Sequence, residues 1–233
     1  MPTAHFYFGD ASVGHNARGA DTCKPFPGAW RRGAGIAWSV GQIYRMDLNA
    51  TLCRSAALRR QSYLSGLKRL GVTEPYVTDK MPVNSCWIGF IVAAIPEARI
   101  VHVTRDARAT CWPNFKHYFS GKDNGFAYDL QDMCEYYKMS IELMAFWNEK
   151  YPGQIYDLNY EALTEHQEAE TRKLIEYVGL DWEHQCLEFH NTRRAIQTAS
   201  VTQVRQKMYR GSADAWRKYE KHLGSMVESL GGF

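Results

Sequence analysis

Long hydrophobic runs are missing from this 233-residue sequence, and none approaches the roughly 20 residues that a helix needs to span a bilayer. The first residues do not combine a basic stretch with an apolar one, so we expect no signal peptide. Hydrophobic residues make up 45% of the chain and charged residues 23%, which is ordinary for a globular protein. We therefore expect a globular domain that does not enter a membrane.

The six cysteines lack any clustering, and their positions are scattered along the chain. No spacing suits a metal site, so we predict no bound metal. The six cysteines are Cys23, Cys53, Cys86, Cys111, Cys134 and Cys186. Reduced, partly buried thiols are the expected state, and they fit a cytoplasmic location.

Acidic residues are nearly absent from the start of the chain. Residues 1–45 hold five basic and two acidic side chains, while the rest of the chain holds 23 of each, and the first glutamate is Glu74. The segment has no sustained hydrophobic period, and Pro25, Pro27 and Gly28 interrupt it. These features predict a poorly ordered segment, or a basic arm that binds nucleic acid.

The clearest local pattern is a strand, a polar turn and a helix between residues 98 and 119. Residues 100–103, Ile-Val-His-Val, predict a buried strand. The turn Thr104-Arg105-Asp106 follows, and the spacing of Ala109, Trp112 and Phe115 predicts a helix. Ligands of α/β proteins bind beyond the carboxyl ends of strands, so Arg105 stands where a phosphate clamp would stand.

Strand patterns alternate with helix patterns along the rest of the chain, which predicts an α/β fold with a parallel sheet. Predicted strands cover 72–78 and 155–158. Predicted helices cover 48–70, 87–94, 129–151, 164–178 and 215–230, with Thr164 as a cap of the helix that ends at Gly179.

Five stretches carry a family resemblance through their order and spacing. They are Thr-Asp-Lys-Met-Pro at 78–82, Arg-Ile-Val-His-Val-Thr-Arg-Asp at 99–106, Ile-Tyr-Asp-Leu-Asn-Tyr-Glu at 155–161, Gly-Leu-Asp-Trp-Glu at 179–183 and Thr-Ala-Ser-Val-Thr-Gln-Val-Arg-Gln at 198–206. From about Tyr63 onward the chain resembles the PAPS-dependent sulfotransferases. The resemblance is to the bacterial branch that is often fused to tetratricopeptide repeats and is akin to tyrosylprotein sulfotransferases. It implies a P-loop-like α/β sheet flanked by helices.

The resemblance also implies roles for single residues. Arg105 resembles the arginine that grips the 3′-phosphate of the donor PAPS, and Tyr160 the tyrosine beside its adenine. Ser200 and Arg205 resemble residues that close over the donor, and Lys80 a lysine near the transferred sulfuryl group. Lys80 and Ser200 are thus the catalytic candidates. The implied reaction moves a sulfuryl group to a hydroxyl or phenol, with protein tyrosine among the candidate acceptors, and releases PAP. The resemblance implies no bound metal, and no nucleic acid or membrane as a partner.

Each of these residues also has a structural interpretation when it is taken alone. Lys80 could be a surface lysine, Tyr160 a core aromatic residue, and Arg105 the partner of Asp106 in an ion pair. His102 is expected to be a packed histidine rather than a base.

The chain departs from the family pattern at two places. Pro113 stands eight residues after Arg105, where the family has a serine whose hydroxyl donates to the 3′-phosphate, and proline has neither that hydroxyl nor an N–H. Thr110, Asn114 or Lys116 could substitute. The second departure is larger, because no stretch matches the family's phosphosulfate loop, Gly-Met-Pro-Arg-Ser-Gly-Thr-Thr-Leu, or the glutamate base after it.

A frameshift would explain the missing loop. Allowed codons for residues 5–17, read one base later, spell Ile-Phe-Ile-Leu-Gly-Met-Pro-Arg-Ser-Gly-Thr-Thr. The same shift explains why the first 45 residues carry an excess of basic side chains. A basic arm that binds nucleic acid is then no longer needed to explain that excess. We therefore expect residues 1–45 to be an out-of-frame segment that lacks the sheet's central strand, and 46–233 to form a sulfotransferase domain with impaired activity. A divergent N-terminus and a non-catalytic fold remnant or binding protein are the alternatives.

Overall fold

The computed structural model describes residues 3–9, 52–72, 74–119, 122–191, 207–208 and 213–231. The strands are β1 (Thr3–Gly9), β2 (Tyr76–Lys80), β3 (Arg99–Thr104) and β4 (Ile155–Asn159). The α-helices are α1 (Leu52–Arg69), α2 (Ile88–Ala94), α3 (Ala107–Phe115), α4 (Leu130–Lys150), α5 (Tyr160–Glu165), α6 (Gln167–Val178) and α7 (Gly224–Ser229). Short 3₁₀ helices cover Pro82–Trp87, Lys122–Tyr128, His184–Leu187, Phe189–Asn191 and Ala215–His222.

The four strands form one sheet in the order β2-β1-β3-β4. Strands β3 and β4 are parallel, whereas β1 is antiparallel to both β2 and β3. Strands β2, β3 and β4 therefore run in one direction and β1 runs against them. The predicted α/β class is confirmed, but the described sheet is mixed rather than wholly parallel.

The expectation that the sheet lacks a central strand is wrong, because β1 fills that place. Its three consecutive aromatic residues at 6–8 favour a strand. They are too few to produce a sustained hydrophobic period, so the strand is hard to recognise in the sequence. The Cα of Thr3 pairs with that of Val103, and the Cα of Gly9 with that of Tyr76. Strand β1 thus ends at the edge opposite to the carboxyl ends of β2, β3 and β4. The expectations for residues 10–45 lie outside the described residues.

Side chains set the starts of the helices that border the sheet. Asp106 caps α3, with its Oδ1 accepting from the backbone N of Ala109 at 2.8 Å, and Asp129 caps α4 in the same way. The predicted cap at Thr164 is wrong. Its hydroxyl donates to the carbonyl of Glu161 at 2.8 Å, and α6 begins only at Gln167.

Two apolar clusters pack the helices onto the sheet. The first joins α1, α2 and α4 to the strands through residues such as Ile88, Ile100 and Met144. The second joins α3 and α4 to the C-terminal residues Trp216 and Met226. The predicted helix 215–230 is instead a 3₁₀ helix followed by α7, since the chain bends at the buried Leu223.

The cysteines differ from the expectation of six reduced thiols. Cys186 is disulfide-bonded, whereas Cys86, Cys111 and Cys134 are free. The cysteine argument for a cytoplasmic location therefore loses its basis. Among the helices of the described ranges, none is long and apolar enough to cross a membrane.

Candidate functional site

The carboxyl ends of β3 and β4 bring two of the predicted donor-binding residues together. Thr104 pairs with Asn159, so Arg105 and Tyr160 are the next residues along the two strands. The Arg105 guanidinium carbon lies 4.8 Å from the centroid of the Tyr160 ring. A cation over an aromatic face at this distance is attracted by the ring. The parallel register of β3 and β4 therefore brings Arg105 and Tyr160 into contact, although they are 55 residues apart in the sequence.

One edge of the Arg105 guanidinium has no hydrogen-bond partner among the described residues. Its Nε and Nη2 atoms are buried, and neither has a hydrogen-bond partner in the part of the chain that the structure describes. These two nitrogens share the edge on which two N–H groups point the same way, which is the geometry that grips a phosphate or carboxylate. Asp106 pairs with Arg108 at 3.0 Å, so the alternative of an Arg105–Asp106 ion pair is wrong.

Neighbouring residues hold the turn that carries Arg105. The Tyr137 hydroxyl donates to the Arg105 carbonyl at 3.1 Å, and the Asp106 N–H donates to Oε1 of Glu161 at 3.2 Å. Burial raises the pKa of Tyr137 to about 12, so the phenol stays protonated and able to donate. Sequence reasoning missed Tyr137 and Glu161, because both contacts join distant parts of the chain.

Lys80 ends β2, on the far side of β1. Its Cα is level with Val101, since both pair with His5. The Lys80 and Arg105 Cα atoms are therefore separated by about 13 Å along the strands and about 10 Å across them. Lys80 is half-buried, and that burial lowers the pKa of its amine from the ordinary value. At this separation, Lys80 and Arg105 could bind the same ligand only if it is extended, and each would contact a different part of it.

Asp79, beside Lys80, is a buried carboxylate that sequence reasoning missed. It is 5% exposed and accepts hydrogen bonds from the Tyr63 hydroxyl at 3.0 Å and from Nδ2 of Asn84 at 3.3 Å. Burial raises the pKa of Asp79, and the two hydrogen bonds oppose that shift. These contacts tie the end of β2 to α1 and to the 3₁₀ helix that follows β2.

His102 is 3% exposed, and its interpretation as a packed histidine is confirmed. Its Nδ1 lies 2.6 Å from Oδ1 of Asp157, its register partner on β4. Asn148 donates to the other oxygen of Asp157 at 3.2 Å. The hydrogen bond with His102 is the main reason that the pKa of Asp157 lies below its ordinary value. The pair links β3 to β4 three residues before Arg105 and Tyr160.

Pro113 lies inside α3, where the family has a serine. Of the three suggested substitutes, Asn114 already donates its side-chain N–H to the carbonyl of Thr110 at 2.7 Å, and Lys116 is exposed. Thr110 is buried. The remaining predicted site residues, Ser200 and Arg205, lie outside the described residues.

Comparison with known proteins identifies the family. Residues 41–184 match the Sulfotransferase family, so the chain belongs to the sulfotransferases. An uncharacterized protein of Aquifex aeolicus (strain VF5) is 36% identical over 187 residues, which are 79% of this chain and 24% of that protein. A "Putative protein-tyrosine sulfotransferase" of Caenorhabditis briggsae is 24% identical over 151 residues, which are 63% of this chain and 54% of that protein. The chain thus spans about a quarter of one relative and about half of the other.

Proposed function

We propose that this chain is built to bind PAPS and to pass its sulfuryl group to a hydroxyl or phenol. The observation that carries the proposal is the pair of Arg105 nitrogens that have no hydrogen-bond partner among the described residues, on a side chain held over Tyr160 at the carboxyl edge of the sheet. Two buried N–H groups without an acceptor are costly, and a phosphate at this edge would supply that acceptor. Residues 41–184, which match the family, include Lys80, Arg105 and Tyr160.

The proposed roles divide the donor among the residues of the site. Arg105 holds the 3′-phosphate through two parallel N–H groups, and the Tyr160 ring lies beside the adenine. Lys80 approaches the sulfuryl group from β2, and Ser200 and Arg205 close the site from the C-terminal side. Sulfuryl transfer spreads negative charge over the transferred group, so Lys80 and Ser200 would act by stabilising that charge, as cations and donors do in phosphoryl transfer.

The acceptor is proposed from the relatives rather than from this chain's own residues. The name of the Caenorhabditis briggsae relative supports a protein tyrosine as one acceptor. A cytoplasmic location stays a prediction.

We further propose that the transfer activity of this chain is impaired. A phosphosulfate loop directly after β1 would have to begin at the carboxyl edge of β2, β3 and β4, yet β1 ends at the opposite edge. The family match begins at residue 41, beyond most of the segment that we propose to be out of frame. These observations favour the second candidate function, a non-catalytic binding protein that keeps the donor pocket.

Binding and turnover measured separately would test both candidates. PAP should raise the melting temperature, because a ligand that binds only the folded state stabilises it by mass action. Binding with no sulfate transfer would support the non-catalytic candidate. If PAP gives no shift and calorimetry detects no heat of binding, the proposed donor site is wrong.

The hydroxyl that Pro113 lacks can be restored. We expect Pro113→Ser to tighten PAP binding by roughly 1 kcal/mol, since one hydrogen bond is added. Pro113→Ala is the matched control, because both variants remove the proline from α3 and only serine adds a donor. Calorimetry on the three proteins measures the difference. Equal affinity of the serine and alanine variants would contradict the prediction.

A further inference from the structure

We propose that Arg108 and Trp112 complete the pocket for the donor's 3′-phosphate, in place of the serine hydroxyl that Pro113 removes. This inference rests on the proposed function and deepens it. It assigns two further N–H donors to a site where the family resemblance implies one arginine and one serine.

The unpartnered polar atoms of the described residues concentrate in one short stretch. Six buried side-chain nitrogens of the described residues lack a hydrogen-bond partner. Four of them belong to Arg105, Arg108 and Trp112, which fall within eight consecutive residues. Buried donors in native proteins are nearly always paired, so four unpaired ones within so short a stretch of chain indicate a missing acceptor. Guanidinium and indole nitrogens donate and do not accept, so the missing group is an anion or another electron-rich acceptor.

Helix α3 places Arg108 and Trp112 side by side. Arg108 and Trp112 are four residues apart and therefore neighbours on one face of the helix. Trp216 lies over the Arg108 guanidinium at 5.0 Å, and Tyr219 packs against the Trp112 ring at 4.7 Å between centroids. The C-terminal 3₁₀ helix thus holds both side chains in place. Pro113 is adjacent to Trp112 in the same turn.

The Nε–H of Arg108 and the indole N–H of Trp112 differ in charge. Asp106 accepts from Nη2 of Arg108 at 3.0 Å, which fixes the guanidinium, while its Nε has no acceptor among the described residues. The same carboxylate offsets part of the Arg108 charge, so Arg108 should contribute less than Arg105. The indole N–H of Trp112 is a neutral donor without acceptor capacity, as is suitable for replacing a donating hydroxyl. A phosphate has several lone pairs, so these donors need not exclude one another.

Trp112→Phe tests the proposal, because it removes the N–H and keeps an aromatic ring against Tyr219. We expect the Kd for PAP to rise about tenfold, the scale of one hydrogen bond to a charged acceptor. The Kd for adenosine 5′-phosphate, which lacks the 3′-phosphate, should not change. Trp182→Phe is the matched control, since Trp182 stacks with Arg172 on α6, and its PAP affinity should equal that of the parent.

Arg108→Gln is the second variant, and it should give a selective loss of PAP affinity as well. Melting temperatures without ligand would show whether each variant folds like the parent. If the parent binds PAP and Trp112→Phe binds it equally well, this inference is wrong and the proposed function stands. Equal losses for PAP and adenosine 5′-phosphate would also overturn it, because they would indicate a general packing role. A parent that does not bind PAP overturns the proposed function together with this inference.

Discussion

This protein should transfer sulfate at least about a hundredfold more slowly than a version with a restored phosphosulfate loop. Loss of a single preorganised donor to a developing charge costs about that much in rate, and in this chain no stretch matches the whole loop. Formation of PAP from PAPS, in the presence of a phenolic acceptor or a tyrosine peptide, measures the difference.

The repair is defined at the level of the gene. One base is inserted or deleted ahead of codon 5, and a compensating change is made between roughly codons 36 and 60. The product should contain the loop, the helix after it and the glutamate base. Its first strand should run parallel to β2, β3 and β4, because only that direction places the loop at their carboxyl edge. The same base change without compensation is the control.

Two results would contradict this prediction. One is a gene whose natural codons do not spell the loop when they are read in the shifted frame. The other is strong transferase activity in the unrepaired protein. The nucleotide sequence of the first hundred codons decides the first point without any protein chemistry.

Replacing Arg105 should have the largest effect on donor binding. We expect Arg105→Ala to weaken PAP binding by about 1.5–3 kcal/mol, the range for hydrogen bonds to charged groups. The reason is the loss of the only edge in this turn that presents two parallel N–H groups without a partner among the described residues. Isothermal calorimetry at fixed salt measures the change.

Arg99→Ala provides the matched control for this variant. Arg99 begins the same strand, and its guanidinium carbon lies 6.0 Å from the Tyr177 ring centroid. Like Arg105, it is an arginine beside a tyrosine ring, but it is exposed and stands at the other end of β3. PAP affinity should be unchanged in Arg99→Ala. Equal affinity of Arg105→Ala and the parent would remove Arg105 from the donor site.

The elements that could be predicted from the sequence are those with strong local signals. Strand β3 and helix α3 follow from the run at 100–103 and the apolar spacing after the turn. The long helix α4 follows from its apolar stripe, and Gly179, with φ at +76°, ends α6 as predicted. The errors at Thr164 and Leu223 are errors of detail, because a cap or a bend depends on the groups packed around it.

The candidate site was predicted only in part, for a similar reason. Arg105, Tyr160 and Lys80 could be named from five short motifs in the right order. Arg108 could not, because its contact with Trp216 joins residues more than a hundred positions apart. Nothing in the local sequence distinguishes an arginine that faces solvent from one that a distant tryptophan covers.

The sequence by itself determined the α/β class, the strand–turn–helix around Arg105, the proline at position 113, and the absence of a stretch that matches the family's phosphosulfate loop. These are properties of residue type and short-range period. Only the tertiary structure decided the direction of β1, the stacking of Arg105 on Tyr160, and the donors of α3 that lack partners among the described residues. Strand order, register and the pairing of buried polar groups arise when distant segments meet. The energy that selects them lies in those contacts rather than in any local stretch.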